Sequence, residues 1–166
     1  MSSLNYRLIT QNDAELLTEQ RNKHRHCFFD SGVVTVQNTL DWINGNIGNP
    51  KDLTFIVGEN LQLLGPDGSA EITHPVGQFS VHNIILGDRA KCGRLIRYEN
   101  STWGFRFSCG DIIHYVSSLY NLSLMVAEVY AWNKSSLMFF AKLGFHVVLV
   151  ENENTTKSVF TLGKKM

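Results

Sequence analysis

Three sets of residues in this chain have side chains and spacing suited to chemistry. Ser108-Cys109-Gly110 precedes Ile112, Ile113, Val116, Leu119 and Tyr120 at helical spacing, so it reads as a glycine-containing loop that leads into a helix. Such a junction offers convergent backbone N–H groups and the positive end of a helix dipole, the donors that a diphosphate needs. Arg106 can add charge to it, and Asp111 suits the helix dipole if it points outward. Glu128 lies in an alternating segment five residues before Asn133, where a carboxylate is solvent-facing, ion-paired or a base. His24, His26 and Cys27 are close together, but no second Cys/His pair completes zinc-site spacing, so no metal is expected. Cys109 at a helix start would have a lowered pKa, yet no recognisable motif ties a base to it, and a plain loop cysteine is the simpler reading.

The elements that must position these residues alternate along the chain. Tyr6 to Ile9 is a short strand, and Asn12 with Glu15 makes a capping pair for a helix carrying Leu16 and Leu17. A second helix starts at Thr35 and places Val36, Leu40 and Ile43 along one side before Gly45 and the Gly48-Asn49-Pro50 break. Leu53 to Val57, Val76 to Leu86 and Cys92 to Tyr98 read as strands, the first two separated by the turn residues Gly65-Pro66-Asp67-Gly68. After the Gly110 helix, Val126 to Ala131 alternates as a strand, and Lys134 to Leu143 is a helix capped by Asn133 or Ser135 and ended by Gly144. His146 to Val150 and Ser158 to Leu162 complete the order β, α, α, β, β, β, α, β, α, β, β.

At 166 residues, with 43% hydrophobic content, the chain can bury one substantial core and is expected to be a single domain over 1–166. Fifteen basic residues balance fifteen acidic ones, so overall charge argues for neither a nucleic-acid partner nor an anionic membrane surface. No run reaches the roughly 18 apolar residues that span a bilayer, and Met1 to Thr10 has no apolar signal core. Three scattered cysteines make no disulfide framework; a cytoplasmic location is the expectation.

The combination from Val126 to Phe145, a strand, Asn133, a small residue at Ser136, the aromatic pair Phe139-Phe140 and then Lys142-Leu143-Gly144-Phe145, resembles the C-terminal signature of the GCN5-related N-acetyltransferase superfamily. Arg21-Asn22 after the first helix, then Thr35 and Trp42, resembles the branch containing ribosomal-protein N-terminal and amino-sugar N-acetyltransferases. The resemblance covers nearly the whole chain and implies an α/β (α+β) fold: a mixed, mostly antiparallel central sheet with splayed central strands, flanked by helices. It implies an acetyl-CoA co-substrate and direct attack by a primary amine, with no metal.

The site residues follow from that resemblance. Leu95, Ile96 and Arg97 form the strand edge that meets the pantetheine arm, Ser108, Cys109 and Gly110 the phosphate loop, and Asn133 and Ser136 the coenzyme side of the last helix. The family's loop pattern of Gln or Arg, two residues, Gly, one residue, then Gly or Ala meets Phe105, Ser108 and Gly110 here, and only the last fits well. Arg21, Asn22, Phe28 and Trp42 are placed near the amine. Glu128 is the chosen base, raised in pKa if it is buried beside apolar strands, with Glu99 and His82 as substitutes. Phe140 stands where the family often has a proton-donating Tyr. The acceptor is expected to be the amine of a small molecule, with an amino sugar among the options. Two alternatives stay open: a protein N-terminus as acceptor, and a catalytically silent acyl-CoA-binding or interaction protein. The sequence does not decide oligomeric state, a homodimer included.

Overall fold

Alternation in the second strand shows how the sheet acquires a core on each face. Phe55 and Val57 point into one apolar cluster, while Ile56 between them joins another with Ala14, Leu17, Ile43 and Ile72. The computed structural model describes residues 4–63, 70–98, 103–151 and 159–166. Its elements are β1 (Asn5–Leu8), α1 (Ala14–Lys23), α2 (Val36–Asn46), β2 (Asp52–Leu63), β3 (Ala70–Ile85), β4 (Arg89–Arg97), α3 (Trp103–Tyr120), β5 (Leu124–Tyr130), α4 (Lys134–Lys142), β6 (His146–Glu151) and β7 (Val159–Lys165). This is the order expected from the sequence.

The strands form one sheet in the order β1-β2-β3-β4-β5-β7-β6. Every described pairing is antiparallel except β4 with β5. On one face, α3 lays Phe105, Cys109, Ile112, Ile113 and Val116 into the larger cluster, joined by Phe140 of α4. On the other face, α1 and α2 cover the smaller cluster.

Two helix starts differ in how well the sequence announced them. Thr35 caps α2 as expected: its Oγ1 accepts the Asn38 N–H at 3.1 Å and Asn38 Oδ1 accepts the Thr35 N–H at 3.0 Å. Ile43 of the expected apolar stripe is buried, whereas Val36 is exposed and Gly45 lies inside the helix rather than after it. The Asn12–Glu15 pair is not what starts α1. Asp13 instead accepts the Thr10 N–H at 2.7 Å, and a short 3-10 turn, Gln11–Asp13, leads into the helix. Arg7 decides between them, because its guanidinium holds both Asp13 oxygens, at 2.7 and 2.8 Å, and only a carboxylate at 13 answers it. The turn 65–68 lies outside the described residues.

The parallel pair is short, and that shortness makes the site. Arg89–Cys92 pair with Leu124–Ala127, and no pairing between β4 and β5 continues beyond them. Strand β5 keeps its partner β7 as far as Tyr130. Strand β4 stays with β3, but its register breaks between Ser80↔Gly93 and Gln78↔Ile96, where Arg94 has φ +44. That bulge bends β4 away from β5. The Arg94 side chain pins it, reaching across to both oxygens of Asp52 at 2.5 and 2.8 Å, to Thr54 Oγ1 at 3.1 Å, and over the Trp42 ring.

Candidate functional site

One cavity lies in the parting of β4 and β5, and two more adjoin it. The middle one, about 240 Å³, is lined by His82, Lys91, Gly93, Arg94 and Leu95 from the β3–β4 side, by Glu128, Val129 and Tyr130 of β5, and by Asn133, Ser136 and Phe140 at α4. Cys27, Phe28 and Phe29 of the α1–α2 connection close it. Leu95, Asn133 and Ser136 also line a second cavity of about 370 Å³, on the α4 side, together with His24, Ile96, Arg97, Phe105, Arg106 and Lys142. Phe28 and Arg94 are shared with a third cavity of about 270 Å³, between the α1–α2 layer and the sheet, where Arg21, Asp30, Trp42 and Gln78 also stand.

The second cavity carries His24, Arg97, Arg106 and Lys142, and no carboxylate lines it among the described residues. Two guanidinium groups and an ammonium in one wall, from Arg97, Arg106 and Lys142, suit phosphate groups. Asn133 caps α4, its Oδ1 accepting the Ser136 N–H at 3.1 Å, so the cap and the cavity wall are one structure. The far end of α4 closes as the sequence suggests, with Gly144 at φ +88 and the Phe145 N–H returning to the Phe140 carbonyl at 3.0 Å.

Ser108, Cys109 and Gly110 do not form a loop. Helix α3 begins at Trp103, so all three sit inside it. Ser108 and Cys109 are buried, and the Ser108 hydroxyl donates to the carbonyls of Gly104 at 3.1 Å and Leu4 at 3.3 Å. Their amides belong to helical turns and none of the three lines the cavities. The physical reason is that Phe105 and Cys109 extend the apolar face of Ile112 by whole turns toward the N-terminus, ahead of the Gly110 start expected from the sequence. Burial also pushes the Cys109 thiol up rather than down.

In the middle cavity Glu128 makes an ion pair with Lys91, Nζ to Oε1 at 2.5 Å. Its side chain is 38% exposed, so the burial expected for it is not found. His82 lines the same cavity, with Nδ1 3.2 Å from Ser80 Oγ. Burial first, then Arg94 and Lys91, pulls its imidazole down to about 4, against the opposing pull of Asp52 and Glu128. The ring packs over Gly93: a Cβ there would lie 2.6 Å from His82 Cε1, so the imidazole in this position would have to shift. Glu99 lies outside the described residues. Phe140 is 3% exposed and packs against Phe139 and Phe145, with no proton to give.

On the α1–α2 side, Arg21, Phe28 and Trp42 line the third cavity, but Asn22 does not. Both ends of the Asn22 amide are taken by Val34, donating to its carbonyl at 2.8 Å and accepting its N–H at 2.9 Å, so Asn22 holds the loop that carries Phe28. Phe29 and Tyr130, centroids 4.5 Å apart, fasten that loop to β5. His26 stacks on Trp132, and among the described residues no group of three or more His, Cys, Asp or Glu comes together to hold a metal. No described helix is long and apolar enough to cross a membrane.

Lys91, Arg94, Asp30 and Lys142 were not foreseen as wall residues. Lys91 was within reach of sequence reasoning, since it has the same strand-face parity as Gly93 and stands in the strand next to Glu128, but strand neighbours are not visible locally. Arg94 depends on a bulge that no local signal announces.

No family model and no curated protein matches the sequence. Solved structures do. A spermidine N-acetyltransferase from Vibrio cholerae, in complex with CoA and spermine, superposes with TM-score 0.78 at 17% identity over 99% of this chain and 96% of that one. RimL, a ribosomal L7/L12 alpha-N-protein acetyltransferase in complex with coenzyme A, gives 0.79 at 11% over 100% and 96%. YncA of Salmonella typhimurium, a putative acetyltransferase with acetyl-CoA, gives 0.73 at 15% over 99% and 94%. The chain therefore has the fold of the GCN5-related N-acetyltransferases, with the splayed parallel pair that the resemblance implied.

Proposed function

We propose that the protein is an acetyl-CoA-dependent N-acetyltransferase whose acceptor is the primary amine of a small molecule. The observation that carries this reading is the cavity in the β4–β5 parting, which holds Glu128 and His82 and shares Leu95, Asn133 and Ser136 with a neighbouring cavity that carries Arg97, Arg106 and Lys142. A coenzyme A thioester fits it: phosphates against Arg97, Arg106 and Lys142, and the pantetheine arm along the strand edge of Leu95, Ile96 and Arg97, beside Asn133 and Ser136.

The chemistry asks little more of the chain. An amine must be neutral to attack, so its proton passes to a base as the C–N bond forms and the C–S bond breaks, and the departing thiolate takes a proton in return. Glu128 is that base in this reading. His82 is uncharged at neutral pH and stands in the same cavity as a polar neighbour to the reacting atoms. Holding the reactants together contributes much of the rate.

A specific observation favours one alternative. With Phe140 where a Tyr donor would stand, the fold can bind acyl-CoA and remain catalytically silent. A protein N-terminus as acceptor needs a mouth open to a chain, and the neutral overall charge does not choose between it and a small molecule. Release of free thiol from acetyl-CoA over a panel of amines decides: amine-dependent release that falls in Glu128→Gln supports the enzyme, and coenzyme binding without release supports the silent form. A homodimer also belongs to this reading. Edge strand β6 leaves Val147, Val148 and Leu149 exposed, and antiparallel pairing of two copies would set His146 against Glu151. Light scattering would show whether the mass is that of one chain or two.

A further inference from the structure

The charges around the acceptor end are matched with one exception. Lys91 is held by Glu128, and Arg94 by Asp52. Arg21 has no such carboxylate among the described residues. One guanidinium nitrogen, Nη2, donates to the backbone carbonyl of Asp30, and the group lies over the Phe28 ring with Cζ 4.3 Å from its centroid. The other, Nη1, is closed off from water and has no hydrogen-bond partner among the described residues. Arg21 lines the cavity of about 270 Å³ with a charge that no carboxylate answers among the described residues, so a ligand that brings an anionic acceptor suits it.

Asp30 is the remaining carboxylate of this cavity wall, and it does not fill that role. Its Oδ1 accepts the Gly32 N–H at 3.0 Å in an exposed turn, where water screens it. Around the guanidinium the walls are aromatic and amide-bearing, with Phe28, Trp42, Asn38 and Gln78. Among the described residues of these two walls, a second ammonium on the acceptor would find only Glu128, already paired with Lys91, and the screened Asp30.

We infer that the acceptor is an amine whose far end carries a carboxylate, and that Arg21 receives that carboxylate in the cavity between the α1–α2 layer and the sheet. This rests on the acetyltransferase reading and narrows it. The amine faces Glu128 in the middle cavity, and the tail extends past Phe28 and Arg94, which line both cavities, toward Arg21. A planar guanidinium offers a fork of donors that suits two carboxylate oxygens, which an ammonium does not reproduce.

The test uses a homologous series of ω-amino acids, the alkylamines that lack their carboxylate, and the matching α,ω-diamines, with acetyl-CoA and the full chain. At the best chain length the amino acid should exceed the alkylamine by at least about tenfold in kcat/KM, the worth of one charged hydrogen bond, and the diamine should be poorest. Arg21→Met should bring the ratio of amino acid to alkylamine close to one, and Arg21→Lys should keep part of it. Circular dichroism and melting confirm that each variant is folded. A preference for diamines, or a ratio that Arg21→Met leaves intact, overturns the inference while leaving the acetyltransferase standing. If no amine is acetylated, the enzyme reading fails by itself, and calorimetry on the CoA-loaded protein still decides this one: the ω-amino acid binds more tightly than the diamine, and loses that margin in Arg21→Met, or the inference is wrong.

Discussion

The two ends of the passage through the sheet are built on different electrostatic plans. On the α4 side, Arg97, Arg106 and Lys142 line one wall, with no carboxylate among the described residues there. On the α1–α2 side, Arg94 is tied to Asp52 and the middle cavity's Lys91 to Glu128, Arg21 lies over the Phe28 ring, and further rings and amides fill the spaces between. The first end is suited to hold its ligand by net charge, which is long-range and salt-sensitive; the second is suited to discriminate by contact, since paired charges attract little at a distance. A chain with formal net charge +0 can thus hold a polyanionic co-substrate, because the relevant charge is that of one cavity wall and not of the molecule.

The largest expected effect comes where the two ends meet. Glu128→Gln should lower kcat by about a hundredfold or more, the usual worth of a positioned base, while the Kd for acetyl-CoA stays within about twofold. Equal losses in both would mean that Glu128 holds the site together rather than taking a proton. Next is Gly93→Ala, which places a methyl group 2.6 Å from the His82 ring and should cost about 1–3 kcal/mol in a denaturant titration. An unchanged midpoint would show that the imidazole does not occupy that space.

A crossed pair of variants separates the ends directly. Arg106→Ala with Lys142→Ala should weaken acetyl-CoA about tenfold and flatten its salt dependence, with KM for the amine little changed. Trp42→Ala should do the reverse. If both changes fall on the same substrate, the two ends are not separate sites.

The smallest effect concerns pH. His82 ionises at about 4 in the folded protein against 6.5 when unfolded, so between those values the unfolded chain binds more protons. Its contribution to stability is whole above about 6.5 and is lost as pH falls toward 4. Arg94 and Lys91 reinforce that direction, and Asp52 and Glu128 oppose it. His82→Asn should flatten this part of a stability profile, measured by urea midpoints at stepped pH.

What the sequence made legible follows from the range of the signals. The order of strands and helices, the Thr35 cap, the Asn133 cap and the Gly144 stop are all set within a few residues, and each reads correctly. The phosphate loop misread has the same local cause inverted: Gly110 looks like a helix start, but Phe105 and Cys109 already belong to the buried face of α3. The ion pairs Lys91–Glu128 and Arg94–Asp52 join residues distant in sequence, and the bulge at Arg94 is fixed by that second pair as much as by its own neighbours. Even correct knowledge of every element would not have placed Asn22 outside the cavity, because its partner Val34 lies across a loop.

The central claim is that the parting of β4 and β5 holds an acetyl-CoA thioester with its phosphates at the basic end. Calorimetric titration of the full chain with acetyl-CoA, at low and raised salt, tests it most directly. Saturable heat at one ligand per chain, weakening steadily as salt rises, is the result predicted here. No heat at either ionic strength, or binding indifferent to salt, would contradict it.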